Sequence, residues 1–489
     1  MNSIDKNGIK ATIKKQIEIG LIVLLVIHSG CNKLVEIDPP VDTITTEQVF
    51  ADDNNAIAAV TGIYSKLAGK NEPFSTANGG TSIVTGLSSD ELAIFSSAQS
   101  LMVIYRNELV ERGPHVQIDG LWRRTYEYIF PINVCLENLN KSPGITATTR
   151  LKLLAEVKFL RTFCYFNLIN LYGDVPFVET TDWDKSRLTK KMSKAEIYQI
   201  LINDLLEIKG VLPEDYTSYN NERVRATRWA AEALLARLYL YNENWVQAEI
   251  SATNVISNTL YSLPPNLSDV FLKNSKEAIL QWHNSSSVGS VTQNITPEGY
   301  VFIPQFNNRP PDYFLSNQLL SSFEVDDKRK IDWIKTITYL NKQYSFSFKY
   351  KKGFPDMVPN GPVTEYSMVL RLAEQYLIRA EARVNQDNIN GAKADLDVIR
   401  KRAGLGVTTA TSKEQLLAAI EQERRVELFT ESGHRWFDLK RTGRIDAVMS
   451  VVTPQKSNGA TIWKSYQQVY PIPYGEITLN PNLTQNSGY

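Results

Sequence analysis

Cysteine is scarce in this chain: 489 residues carry three, Cys31, Cys135 and Cys164. Three is too few for a disulfide scaffold of this length. Cys135 and Cys164 each fall in an apolar helical run, so both are expected as buried free thiols. Histidine is hardly commoner. His28, His115, His283 and His434 are the four present, and no two of them have the spacing of metal ligands. No G-x-S-x-G, H-E-x-x-H, phosphate-loop or calcium-loop pattern occurs, so neither a cofactor nor a metal site is expected. A charge excess is missing too. Lys+Arg and Asp+Glu both number 53, which argues against nucleic acid or an anionic membrane surface as partner. The apolar run Ile17–Ile27 is only about ten residues long, too short to cross a bilayer core of roughly 30 Å as a helix.

What is present begins with that run. Lys10, Lys14 and Lys15 form a basic region before it, and Ser29, Gly30 and Cys31 follow it. This order resembles a secretory signal ending in a lipobox, with cleavage before Cys31 and a lipid on its sulfur. His28 stands three residues before the cysteine, where Leu or Val is usual. Residues 1–30 are thus expected as signal peptide and 31–45 as a lipid-anchored tether ending beyond Pro39 and Pro40. Loss of Lys6, Lys10, Lys14 and Lys15 with Asp5 and Glu18 leaves a formal charge near −2.

The remaining chain alternates between helical pattern and irregular stretches. Ala56, Val60, Ile63 and Leu67 share one helical face. Leu121, Thr125, Ile129, Ile132, Leu136 and Leu139 share another, with Pro131 predicting a kink. A third runs through Leu153, Val157, Leu160, Cys164, Leu168 and Leu171, stopping at Gly173 and Pro176. Ser193 with Glu196, and Ser412 with Gln415, fit capping boxes. Leu235, Ala236, Tyr239 and Ala248 occupy the key places of a tetratricopeptide repeat, and Ala380 and Ala392 repeat the two small positions. Small residues there let paired helices approach closely. The fold class expected is mostly α: a tetratricopeptide-like helical-repeat scaffold over about 46–69, 119–258 and 366–440. Long irregular loop insertions over about 70–118 and 260–365, with a few short strands, interrupt it.

Four stretches together resemble the SusD/RagB family. They are LLAEVKFLRTFCYFNLINLYGDVPFV from Leu153, RLAEQYLIRAEARVNQDNINGAKADLDVIRKRAGL from Arg371, ERRVELFTESGHRWFDLKRTGR from Glu423, and the closing YPIPYGEITLNPNLTQNSGY, residues 470–489. With the lipobox they span almost the whole mature chain in order. The resemblance implies a SusD-like fold and an outer-membrane lipoprotein that faces the medium. It also implies a SusC-like TonB-dependent β-barrel as partner, to which an oligosaccharide or glycan, or in some cases a peptide, is passed. Membrane contact is expected through the lipid alone, and no enzymatic activity is expected. Two alternatives stay open: a surface glycan hydrolase, since two flanking carboxylates suffice, and an envelope repeat protein that binds peptides or proteins. Glu423 and Glu427 share a helix face, but arginines alternate with them, so ion pairs are the expected reading.

A sugar offers a C–H face and a rim of hydroxyls, so its site needs flat aromatics beside amide or charged groups. The resemblance points to Ser75–Arg112 and Trp282–Leu315. Candidates there are Phe95, Tyr105 and Asn107, then Tyr300, Gln305, Phe306, Asn308, Arg309, Tyr313 and Phe314. Trp282 follows Ala278–Leu280 and is expected in the core, and Ser88–Phe95 has a structural reading as well.

Overall fold

The computed structural model describes residues 10, 14–15, 45–69, 75–77, 79–284, 294–306, 308–358 and 361–489. Cys31, and with it nearly all of the expected signal and tether, lies outside the described residues. The chain divides into two units, Met1–Val49 and Phe50–Tyr489. In the first, the helical turn Thr46–Val49 is preceded by Thr45, whose N–H donates to Gln48 Oε1 at 2.8 Å.

The second unit is built on helices. They are α1 (Asp53–Leu67), α2 (Gly80–Ser88), α3 (Gln99–Tyr105), α4 (Val116–Leu139), α5 (Ala147–Tyr172), α6 (Lys194–Ile208) and α7 (Arg228–Tyr241). After them come α8 (Trp245–Ile256), α9 (Pro297–Phe302), α10 (Leu372–Asn385), α11 (Ile389–Arg402), α12 (Lys413–Glu427), α13 (His434–Arg441) and α14 (Ile445–Lys456). Neighbours pack in succession: α4 on α5, α5 on α6, α7 on α8, α8 on α10, and α10 on both α11 and α12. Helix α5 is the axis of this frame. Thr146 caps its start, and it stops at Gly173, whose φ of 77° favours glycine. From Phe159 to Tyr172 every residue is buried, so apolar side chains surround the helix instead of forming one stripe.

Both expected capping boxes form, Ser193 with Glu196 and Ser412 with Gln415. Ala236 and Ala248 are fully buried between α7 and α8, as are Ala380 and Ala392 between α10 and α11. Pro131 sits inside α4, which continues to Leu139. The segments read as patternless hold more order than expected. Within 70–118 lie α2, α3 and strand β1 (Leu92–Ile94), and α4 already begins at Val116. Every residue of α2 is buried, which erases the one-sided period that reveals a surface helix.

Short strands tie the insertions down. β1 pairs antiparallel with β5 (Tyr313–Leu315), and β2 (Val175–Pro176) with β3 (Lys191–Met192). The fully buried β4 (Ala278–Trp282) pairs with β8 (Ser367–Arg371), which leads directly into α10. β6 (Ile334–Tyr339) and β7 (Lys342–Ser347) form a hairpin closed by Leu340 and Asn341, with φ of 45° and 59°. Two positive φ values mark the tight turn that matches strand twist. Trp282 is 2% exposed and belongs to the core, as expected.

The charged helix α12 is structural. Arg329 donates to Glu423 at 2.6 Å and Glu427 at 3.0 Å, and Arg371 donates to Glu427 at 2.6 Å and Glu277 at 2.8 Å. Arg402 adds Glu277 at 2.5 Å and a further bond to Glu427. Burial opposes the charge of Glu427, but Arg402, Arg371 and Arg329 override it and hold the carboxyl well below its ordinary range. Carboxylates enclosed in this way are out of a substrate's reach.

Candidate functional site

Strand alternation aims the site. In β5, Tyr313 and Leu315 turn inward at 8% and 1% exposure, while Phe314 between them stays half-buried. Phe314 pairs in register with Ala93 of β1, and the strand's continuation, Phe95, donates its N–H to Asp312 O at 2.9 Å. The hairpin packs its second strand, β7, against β5. The Tyr344 ring of β7 meets Phe314 edge-on with centroids 5.0 Å apart, and Phe95 at 5.7 Å. Phe95 meets Tyr339 at 5.9 Å. Phe95, Phe314, Tyr339 and Tyr344 therefore form one contiguous platform, of which only Tyr344 is buried.

Beside it, α9 packs against β5 and carries a second group of rings. Tyr300 and Phe306 lie 5.9 and 6.2 Å from Phe354, and are themselves 39% and 51% exposed. Gln305, Asn308 and Arg309 are exposed polar groups in the same loop. Arg309 pairs with Asp312, and its guanidinium lies 5.7 Å from the Phe95 centroid. The Lys342 ammonium lies 5.2 Å from the Tyr344 centroid. Partly exposed rings near cations, with amides in the adjoining loop, are the groups that a sugar's face and hydroxyl rim require.

The platform hangs from the frame by buried charge. Asp90, just before β1, accepts from Arg435 at 2.8 and 2.9 Å and from Arg425 at 2.6 Å. Burial opposes its ionisation, but the Arg435 hydrogen bonds and charge and the Arg425 charge win and keep its carboxyl below the usual range. Glu91 accepts from Thr430 N–H at 3.1 Å, and burial pushes its carboxyl up to about 7. Ser316, just after β5, donates its N–H to Glu91 O at 3.0 Å and its hydroxyl to Asp90 O at 2.5 Å. Lys456 of α14 caps the end of α2 by donating to the carbonyls of Leu87, Ser88 and Ser89, and burial pushes its ammonium down to about 7.

The structure brings together most of the residues expected to bind, and separates three. Phe95, Phe314 and Arg309 meet on the platform, and Tyr300 of α9 neighbours Gln305, Phe306 and Asn308 of the loop that follows it. Tyr313 faces inward as a packing residue. Asn107 is 1% exposed at a φ of 53° and donates to Ser88 O at 3.1 Å and Thr453 Oγ1 at 3.0 Å. It is a joint of the frame. Tyr105 is half-buried under the Lys456 ammonium, 5.0 Å from its ring, and touches no platform ring. Tyr339, Tyr344 and Phe354 were not among the expected residues. The β-prone run around Tyr344 was the available signal, since alternation there puts Tyr339, Lys342 and Tyr344 on one hairpin face.

On the repeat side a groove of about 680 Å³ lies between α8, α10, α12 and α13, lined by Trp245, Asn385, Leu417, Arg424 and Arg441 among others. Among the described residues, no helix is long and apolar enough to cross a membrane, and no group of three or more His, Cys, Asp or Glu is placed to hold a metal.

The SusD family matches residues 272–489, and a family described as starch-binding associating with outer membrane matches residues 38–240. The chain belongs to the SusD/RagB family. A SusD-like protein of Formosa agariphila, P25, is 24% identical over 94% of this chain and 97% of its own length. The starch-binding protein SusD of Bacteroides thetaiotaomicron is 26% identical over 72% of this chain and 75% of its own. The fold is that of a SusD superfamily protein from Bacteroides vulgatus, with a TM-score of 0.74 at 20% identity, covering 90% of this chain and all of that one. A laminarin-binding SusD-like protein superposes with a TM-score of 0.71 at 22% identity over 90% of this chain and 100% of its own. In this SusD/RagB chain the rings come from three segments, around residues 95, 300–314 and 339–354. The third lies outside the two regions to which the family resemblance pointed.

Proposed function

We propose that this protein binds a nutrient oligosaccharide or glycan at the cell surface and delivers it to a SusC-like TonB-dependent outer-membrane transporter. In this reading Cys31 carries the lipid anchor, and the folded part faces the medium. The observation that carries the binding step is the platform of Phe95, Phe314, Tyr339 and Tyr344, with Tyr300, Phe306 and Phe354 beside it. Rings left half-open on rigid elements offer their free faces as a stacking surface. Relatives named for starch and laminarin binding, and a matching family described by association with the outer membrane, support the same reading.

Affinity electrophoresis of the lipid-free mature protein in polysaccharide gels tests it. Retardation without new reducing ends is the expected result, and Phe314→Ala should weaken it by about 1–3 kcal/mol, the usual cost of truncating a central aromatic anchor. New reducing ends would turn the reading to hydrolysis. Retardation unchanged in both Phe314→Ala and Tyr344→Ala would remove the platform from the site.

A further inference from the structure

The platform's charge is not the chain's charge. The whole chain is balanced, yet from Trp333 to Pro355 there are five lysines, Lys335, Lys342, Lys349, Lys351 and Lys352, and no acid. Three of these have internal partners. Lys349 is 1% exposed and paired with Glu431, Lys351 donates to the carbonyls of Asp332 and Phe348, and Lys352 lies 3.8 Å from Asp356. Lys335 and Lys342 are exposed, and no carboxylate among the described residues stands within ion-pair distance of either.

Hairpin register decides where those two charges point. Tyr339 pairs with Lys342, Ile337 with Tyr344 and Lys335 with Phe346, so all six share one face. This is the face whose rings meet Phe95 and Phe314. Lys342 sits at the tip end of that face, its ammonium 5.2 Å from the Tyr344 centroid, and Lys335 lies at the opposite end against Phe348 at 3.8 Å. Arg309 borders the Phe95 edge but is neutralised by Asp312. The rim of the platform thus keeps a net positive charge that no carboxylate among the described residues answers.

Resting on the reading of the platform as a glycan site, we propose that its ligand is an acidic glycan, bearing carboxylate or sulfate groups. One sugar ring stacks on the aromatics while an anionic substituent accepts from the Lys342 ammonium. A charge-assisted hydrogen bond of this kind is short and strong. Lys335, at the other end of the same face, offers a second anion contact to a longer chain.

The test uses the lipid-free mature protein and titration calorimetry with three soluble probes: oligogalacturonate, a sulfated oligosaccharide, and neutral laminarin oligosaccharides. The expected result is binding of at least one anionic probe, weakened as salt is raised. Lys342→Gln should cost that binding about tenfold or more, as befits a lost hydrogen bond to a charged group, and Lys342→Arg should restore most of it. Which anionic probe binds separates carboxylate from sulfate. Equal, salt-independent binding of the neutral probe that Phe314→Ala abolishes and Lys342→Gln leaves unchanged would overturn the acidic ligand while keeping the glycan site. Anionic binding indifferent to Lys342→Gln would also overturn it. Failure of every probe, in a protein whose thermal unfolding shows it is folded, would count against the glycan reading itself.

Discussion

Asp90 offers the sharpest test of how the site is supported. Its carboxylate is 4% exposed in its side chain and takes hydrogen bonds from Arg435 and Arg425, which are 7% and 17% exposed. Replacing it by alanine leaves Arg425 without its carboxylate, whereas Arg435 keeps Glu421 at 3.2 Å. Removing one partner of a buried pair costs about 3–5 kcal/mol, and the surviving Glu421 contact places the change near the lower end, ~3 kcal/mol. The folded unit, Phe50–Tyr489, has about 440 residues. At about 2.1 cal/mol/K per residue its unfolding entropy is ~0.9 kcal/mol/K, so Tm should fall by ~3 °C in a calorimetric scan. The pH dependence follows from the lowered Asp90 value. This carboxylate stabilises the fold above its unfolded value of about 3.9, and that stabilisation fades as pH drops through the lower folded one. Wild type and Asp90→Ala should therefore converge in strong acid. A double-mutant cycle with Arg425→Met should show coupling above ~0.5 kcal/mol. A Tm change within ~1 °C together with no coupling would refute the view that this cluster fastens the platform.

Other outcomes are equally definite. Asn107→Ala should lower thermal stability by about 1–3 kcal/mol, because its buried partners lose a hydrogen bond, while glycan retardation by the folded fraction stays unchanged. Glu91 has a carboxyl raised to about 7, above its unfolded value, so it favours the fold when protonated. Stability should decline as pH rises from about 4.5 to 7, and Glu91→Gln should flatten that decline in equilibrium unfolding. Burial pushes the Cys135 thiol up to about 12 and raises that of Cys164 as well. A thiol reagent at pH 8 should leave both unmodified in native protein and label both after denaturation.

How much of this was legible in the sequence follows from where each signal was stored. The repeat alanines Ala236, Ala248, Ala380 and Ala392 and the boxes at Ser193 and Ser412 announce themselves, because close approach and capping need particular residues at fixed spacing. Helix α2 did not. Its nine residues are buried on all sides, and a helix without a wet face carries no period. The site was half visible for a related reason. Phe95, Tyr300 and Phe314 stand in stretches whose sequence lacks a sustained period, where aromatics draw notice, whereas Tyr339 and Tyr344 read as ordinary strand residues until cross-strand register puts them on one face. Asn107 misled in the opposite direction. A polar residue in an irregular stretch suggests a ligand contact, yet its side chain satisfies Ser88 O and Thr453 Oγ1.

Three separate stretches of chain line the platform. The first and third are fastened to the frame at their bases, Asp90 to α12 and α13 and Lys349 to Glu431, and the second is fastened to the first through Ser316 and Asp90. Only the hairpin tip stands clear of these fastenings. A change at the tip of the β6–β7 hairpin would reshape the exposed end of the platform without loosening the beams behind it, so under the proposed reading ligand choice can drift while the helices stay superposable.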